Sequence, residues 1–188
     1  QIFIALKGDS YDAHLYLDQA VQKGAKALMV HELPEKFKNL QNQVTIILVK
    51  DSLKGLQQFA HGYRKSLNTK VIGITGSNGK TTTKEFTAQI LSTYRKTHYS
   101  HGSFNNHWGV PMTLLQIPQD ADFAVVEMGM NHAGEITELV KIAEPDCVVC
   151  TMVGTAHIEF FGTQQKIALA KREIYLDSKP EAIRIFNQ

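Results

Sequence analysis

Short apolar runs alternate with longer segments whose apolar residues recur every three or four positions, from Ile2 almost to the end of the chain. The short runs predict strands at 2–6 (IFIAL), 26–30 (KALMV), 44–50 (VTIILVK), 70–75 (KVIGIT), 123–128 (FAVVEM), 146–153 (DCVVCTMV) and a terminal strand beginning near 183. Helical periodicity predicts helices over 13–24, ending at Gly24, and over 52–67, 80–93, 135–143 and 164–176, with a further helix following the polar stretch HGSFNNHW. Repeated strand–helix units favour an α/β fold with a mostly parallel, doubly wound sheet, which binds ligands beyond the carboxyl ends of its strands.

A polar link at Asn68 and Thr69 divides this alternation. It predicts a small α/β domain over 1–67 and a second domain over 68–188 with its own parallel sheet. Gln1 opens inside an apolar run and the last residues read as a strand cut short, so the chain is expected to be a piece of a longer one.

Composition narrows the class. Of 188 residues, 43% are hydrophobic and 20% charged, which suits an ordinary soluble domain rather than a disordered or fibrous chain. The formal charge is only +2, with basic residues scattered among acids, so nucleic acid is not the expected partner. VTIILV is among the longest apolar runs and is strand-sized, so no membrane insertion is expected. Cys147 and Cys150 lie three apart in an extended segment, and their thiols therefore point to opposite faces. They are read as strand cysteines in a reducing compartment rather than a metal or disulfide pair.

The segment VIGITGSNGKTTTKE, 71–85, carries the clearest chemistry. A strand, a Gly-rich turn and a helix start bring free backbone N–H groups and the positive end of a helix dipole around one point, which suits a phosphate. Gly76, Ser77, Asn78 and Gly79 form the turn; Lys80 can reach β- and γ-phosphates, and Thr81 can offer a hydroxyl to Mg²⁺, with Thr82 following. The general P-loop pattern would place glycine at 74, where this chain has Ile74, so the turn is a shorter variant. A helix cap without ligand is the plainer alternative.

Other candidates gather around that turn. Glu127 ends an apolar strand where an acid would meet a nucleotide's Mg²⁺; a solvated strand-end carboxylate is the alternative. His157 follows the next strand and would emerge at the same sheet edge, or it is a surface or packing residue. Lys171 falls on the apolar stripe of its helix with Ile167 and Ile174, so its ammonium either snorkels outward or serves the metal site. Asn105 and Asn106 could bond a substrate or the terminal phosphate, or merely shape a turn.

Together GITGSNGKTTTKE, GSFNNHWGVPMTLL, VVEMGMNHAGEI, VGTAHIEFFGT and IALAKREI resemble the Mur ligase family, and 2–30 is similar to the uridine-binding first domain of some members, with Asp12-Ala13-His14 where Asp-Gly-His is usual. The resemblance implies an ATP-dependent, cytoplasmic, monomeric amide ligase that joins D-alanyl-D-alanine to UDP-N-acetylmuramoyl-tripeptide through an acyl phosphate, in peptidoglycan precursor synthesis. It implies that Lys80, Thr81 and the turn hold ATP, and that Thr81, Glu127, His157 and Lys171 serve two Mg²⁺ sites. Lys171 would carry a CO₂-derived carbamate. Asn105 and Asn106 would lie by substrate and γ-phosphate, and Lys7, Asp9, Ser10 and Tyr11 near uracil and ribose. Members of the family also have a C-terminal domain, so the chain alone is expected to bind nucleotides without turnover. A folylpolyglutamate-type ligase shares the turn and the modified lysine, but that family begins directly with the ATPase segment. A nucleotide-binding module without chemistry leaves Glu127, His157 and Lys171 unexplained.

Overall fold

The computed structural model describes residues 1–187. Two compact units emerge from the packing, Gln1–Phe59 and the chain from Ala60 onward.

In the first unit, β1 (Ile2–Ile4), β2 (Ala27–Val30) and β3 (Thr45–Leu48) form an all-parallel sheet in the order β1-β2-β3. A 3₁₀ segment (Ala13–Tyr16) and α1 (Leu17–Gln22) occupy the stretch expected as a single helix. Asp12 starts that stretch by accepting the His14 backbone N–H at 2.9 Å. A second 3₁₀ segment, Glu35–Asn42, lies where no element is predicted. Leu17, Leu28, Val30, Phe37 and Leu40 form the core of this unit.

Helix α2 (Ser52–Lys65) closes the first unit and opens the second. Its last turns belong with the second unit because the buried Arg64 donates to the carbonyls of Ala143 and Glu144 and to Asp146 Oδ2. The packing division therefore falls inside α2, eight residues before the polar link at Asn68 and Thr69.

The second unit contains β4 (Lys70–Thr75), α3 (Lys80–Ser92), β5 (Thr97–Tyr99), α4 (Gly109–Leu115), β6 (Phe123–Glu127), α5 (Glu135–Ala143), β7 (Cys147–Cys150), α6 (Ile158–Phe161), α7 (Gln164–Leu176) and β8 (Ile183–Phe186). All five strands run parallel in the order β5-β6-β4-β7-β8, as the strand–helix alternation predicts. Ile74 and Val125 pack with Ala88 of α3, while Val126, Val148, Ile136, Leu139, Ile167 and Ile174 form the larger core that includes α5 and α7. Burial on both faces explains why β4 and β6 read as nearly continuous apolar runs.

Helix ends are set locally and by neighbours. Thr163 caps α7 by accepting the Lys166 N–H at 3.2 Å. Glu173 of α7 accepts the N–H groups of Gly134 and Thr137 at 2.7 and 3.1 Å, placing a carboxylate on the positive end of α5. Cys147 and Cys150 are free cysteines on β7, in agreement with the strand reading. Strand order places β4 at the centre, with the chain leaving it first toward β6 and β5 and later toward β7 and β8. That reversal opens a crevice at the carboxyl end of β4.

Candidate active site

The Gly-rich turn leaves β4 at this crevice. Gly76 (φ 150°) and Gly79 (φ 77°) both have positive φ, and Gly79 precedes a thirteen-residue α3 that no side chain caps. The first N–H groups of α3 are thus available to an anion. A Cβ at Gly76 would lie 1.9 Å from Thr151 Oγ1 and 3.2 Å from the Thr151 backbone nitrogen, so glycine is required here.

Thr151 is the reason for that crowding. Its hydroxyl donates to Asn78 O at 2.6 Å, and its backbone N–H donates to Thr75 O at 2.9 Å. Ser77 adds a second tie: its N–H donates to Met152 O, and its hydroxyl accepts the Gly154 N–H at 2.9 Å. The turn is therefore held by the segment that follows β7. We expect Gly76→Ala to lower stability by about 1–3 kcal/mol, since backbone or Thr151 must move, and to abolish any ADP-induced rise in melting temperature. Thermal melts with and without nucleotide would check both.

Lys80 donates to Gly76 O at 2.9 Å, which lays its ammonium across the turn. Thr81 donates its hydroxyl to Glu127 Oε2 at 2.9 Å, and Asn105 donates its amide N–H to Glu127 Oε1 at 2.8 Å. Glu127 is only 1% exposed, which removes the solvated-carboxylate alternative. Its backbone N–H donates to Ser100 Oγ at 3.1 Å, and Gly129 N–H donates to Asn105 O at 2.7 Å. Thr81, Asn105 and Glu127 thus form one connected group at the ends of β4 and β6.

Lys171 lies on the buried face of α7, 2% exposed, beside β7. Burial, and then the charge of Lys80, push its pKa down to about 8. Among the described residues it has no hydrogen-bond or ion-pair partner. The same cationic neighbourhood acts on Cys150: burial raises that thiol's pKa, and the charges of Lys171 and Lys80 oppose the rise. Cys150 pairs in register with Thr75, immediately before the turn.

The remaining candidates stand apart or have local duties. His157 follows β7 by seven residues, in a left-handed conformation (φ 67°) at the start of α6, and among the described residues it has no hydrogen bond or ion pair with Thr81, Glu127 or Lys171; its ring lies 6.4 Å from that of Phe160. Asn106 accepts the N–H of Gly109 at 2.9 Å and so shapes the start of α4. Thr82 is exposed. In the first unit, Gly8 N–H donates to Tyr11 O, closing a turn around Asp9 and Ser10, and Lys7 pairs with Asp12 at 3.2 Å. Asp12 is held down at about pKa 2 by the His14 backbone N–H first of all. Tyr11 stacks on Tyr16 with ring centroids 5.5 Å apart and lines a cavity of about 470 Å³ with Phe3, Gln19 and Lys23. Lys7 lines a different cavity, of about 280 Å³, with His31 and Ser52.

The donor set fits a phosphate chain with a hard cation on one side: a glycine cradle, a cation across it, and a hydroxyl and carboxylate beyond. Among the described residues no three His, Cys, Asp or Glu side chains are placed to hold a metal. A cation here would take Thr81 and Glu127 from the protein and its other oxygens from phosphate and water, as Mg²⁺ does. Sequence reasoning missed Thr151, Ser100 and Lys84. Lys84 had a usable signal, since it shares a helical stripe with Ala88 and Leu91 just as Lys171 does with Ile167 and Ile174.

Residues 74–188 match the family described as Mur ligase middle domain. The UDP-N-acetylmuramoyl-tripeptide–D-alanyl-D-alanine ligase of Bacillus subtilis (strain 168) is 41% identical over 186 residues, covering 99% of this chain and 40% of that protein. The crystal structure I of MurF from Acinetobacter baumannii superposes with a TM-score of 0.91 at 37% identity, over 100% of this chain and 40% of that one. MurF ligase from Thermotoga maritima, solved in complex with ADP, gives 0.88 at 35% identity, over 99% of this chain and 42% of that one. The chain spans about two fifths of the length of these relatives.

Proposed function

This chain belongs to the Mur ligase family, and on that premise we propose that it is part of an ATP-dependent ligase that joins D-alanyl-D-alanine to UDP-N-acetylmuramoyl-tripeptide in peptidoglycan precursor synthesis. The observation that carries the proposal is the Thr81–Glu127–Asn105 group set against a Gly-rich turn, with Lys80 across it. In the reaction, the peptide's terminal carboxylate takes the γ-phosphoryl group of ATP to give an acyl phosphate and ADP. The amine of the dipeptide then displaces phosphate, forming the amide. Two anions must approach in the first step, so positive charge has to offset their repulsion. Lys80 and the N-terminus of α3 supply it from the protein; Mg²⁺, when bound, would add to it through Thr81 and Glu127.

Lys171 is the candidate for carbamylation. An amine with a pKa of about 8 is partly neutral near neutrality, and the neutral amine is the form that adds CO₂. Addition of CO₂ with loss of a proton from that nitrogen to solvent would leave a carbamate anion near the charge of Lys80. His157 is proposed for a second Mg²⁺ site on its position after β7 alone. Tyr11 and the turn Lys7–Tyr11 are proposed as the uridine contact, with Asn105 and Asn106 toward the γ-phosphate and acceptor.

No helix among the described residues is long and apolar enough to cross a membrane. A monomer acting in the cytoplasm is the arrangement proposed.

The test uses purified full-length protein with UDP-N-acetylmuramoyl-tripeptide, D-alanyl-D-alanine, ATP and Mg²⁺. The expected result is one phosphate released per pentapeptide product, and none when the dipeptide is omitted. No product under these conditions would overturn the reading; glutamate addition to a folate substrate would reassign the chain to the folylpolyglutamate type. The 188-residue chain alone is expected to respond to ADP in a thermal melt and to show no turnover.

A further inference from the structure

Lys84 is the largest wholly buried side chain of α3, and the phosphate-turn reading gives it no task. Its ammonium donates to Ser100 O at 2.6 Å and to Gly102 O at 2.9 Å, and it pairs with Glu85 Oε1 at 3.0 Å. Burying an ammonium is costly unless it is fully bonded, so its retention under α3 calls for a reason beyond packing.

The partners supply one. Ser100 and Gly102 begin the loop that carries Asn105. That loop also holds Glu127 at two further points: Ser100 Oγ accepts its backbone N–H, and the Asn105 amide donates to its carboxylate Oε1. Glu127 in turn accepts from Thr81, which lies three residues before Lys84 on α3, so both project from one face of the helix. The contacts close a ring running from Thr81 through Glu127 and Asn105 to Ser100 and Gly102, then back through Lys84 to α3. Among the described residues, the other hydrogen-bonded link between α3 and this loop runs through the carboxylate that is to serve the cation.

We propose that Lys84 is a positioning residue, a brace that fixes the 100–106 loop against α3 and so holds Glu127 and Asn105 in register with Thr81 for Mg²⁺-nucleotide. This rests on the nucleotide-site reading above but not on the identity of the ligase substrates.

The test is Lys84→Met in the full-length protein, with two readouts that need no turnover. Hydrogen exchange should quicken at least about tenfold in peptides covering 100–106 and 127–129, while the Val71 amide, held by Asp146 Oδ2 at the opposite end of the sheet, keeps its protection. The Mg²⁺ concentration giving half of the ADP-induced rise in melting temperature should increase about 10- to 100-fold, the range for loss of a group that orients a metal ligand. Unchanged exchange overturns the brace; faster exchange with an unchanged Mg²⁺ requirement reduces Lys84 to packing and overturns the positioning role. In an Asn105→Ala background the Mg²⁺ effect should largely vanish, and full additivity would contradict action through the loop. Should Lys84→Met fail to fold, Lys84→Gln, which keeps a polar end but loses the ammonium that reaches Ser100 O and Gly102 O, takes its place in both measurements. Slow exchange in that variant, or fast exchange at the wild-type Mg²⁺ requirement, overturns the proposal equally. If wild-type protein binds Mg²⁺-ADP but ligates nothing, the substrate reading falls while the brace is still decided.

Discussion

Replacing Lys80 with alanine in the full-length protein is expected to lower ATP-dependent acyl-phosphate formation about 10²- to 10³-fold, the usual cost of removing one charge-stabilising group from a preorganised site. The ammonium lies across the turn on Gly76 O, and on the proposed reading its charge would meet the oxygens of a phosphate chain as they approach a carboxylate. The variant should fold normally, because Lys80 is half-exposed and the turn is held by Thr151 and Ser77 instead. Trapping the acyl phosphate with hydroxylamine and comparing initial rates would measure the loss. Formation at the wild-type rate would show that the cation across the turn takes no part in phosphoryl transfer.

Lys171→Met should make the 188-residue chain more heat-stable near neutral pH in CO₂-free buffer, by up to roughly 3 kcal/mol. The sign follows from proton counts. Burial and Lys80 lower the folded pKa to about 8 from the ordinary 10.5. Between those values the unfolded chain holds a proton that the folded chain lacks, so the wild type gains stability as pH rises through that window. Below pH 8 the full penalty of a buried, unpaired cation is present. The variant's advantage should therefore be largest below pH 8 and shrink toward pH 10.5, which melts across that range would trace. In the full-length enzyme, by contrast, Lys171→Ala should abolish ligation, with partial rescue by short carboxylates. Full activity without them would rule out the carbamate. Stability gained and activity lost at one residue is the pattern expected of a group kept for chemistry.

The sequence was most readable where one periodicity held over many residues. β4 and β6 are buried on both faces and β7 fully on one, so their composition alone announces them, and α5 carries a clean apolar stripe while that of α7 is broken only by Lys171. β5 escaped because it is three residues, Thr-His-Tyr, on the sheet edge, where half-burial demands no apolar run. α6 is too short to show a period, and the 3₁₀ segment at Glu35–Asn42 is short and mostly polar, with Phe37 and Leu40 its buried residues. Within the site, the Gly-Lys-Thr turn and Glu127 were legible because each combines a residue type with a defined place at a strand end. Thr151 was not: its partners Thr75 O and Asn78 O are backbone atoms more than seventy positions away, and no side-chain pattern encodes them. Lys84 was hidden differently, by lying in a run of polar residues whose inward face becomes visible only when Ala88 and Leu91 are read with it.

The clamp that Thr151 places on the Gly-rich turn has a thermodynamic consequence. Because the segment after β7 fastens Thr75 and Asn78 as the sheet closes, the backbone there gives up its conformational entropy on folding and not when nucleotide arrives. A phosphate chain entering this cradle loses its own freedom and sheds water, but it has no loop to tame, so more of each contact survives as affinity.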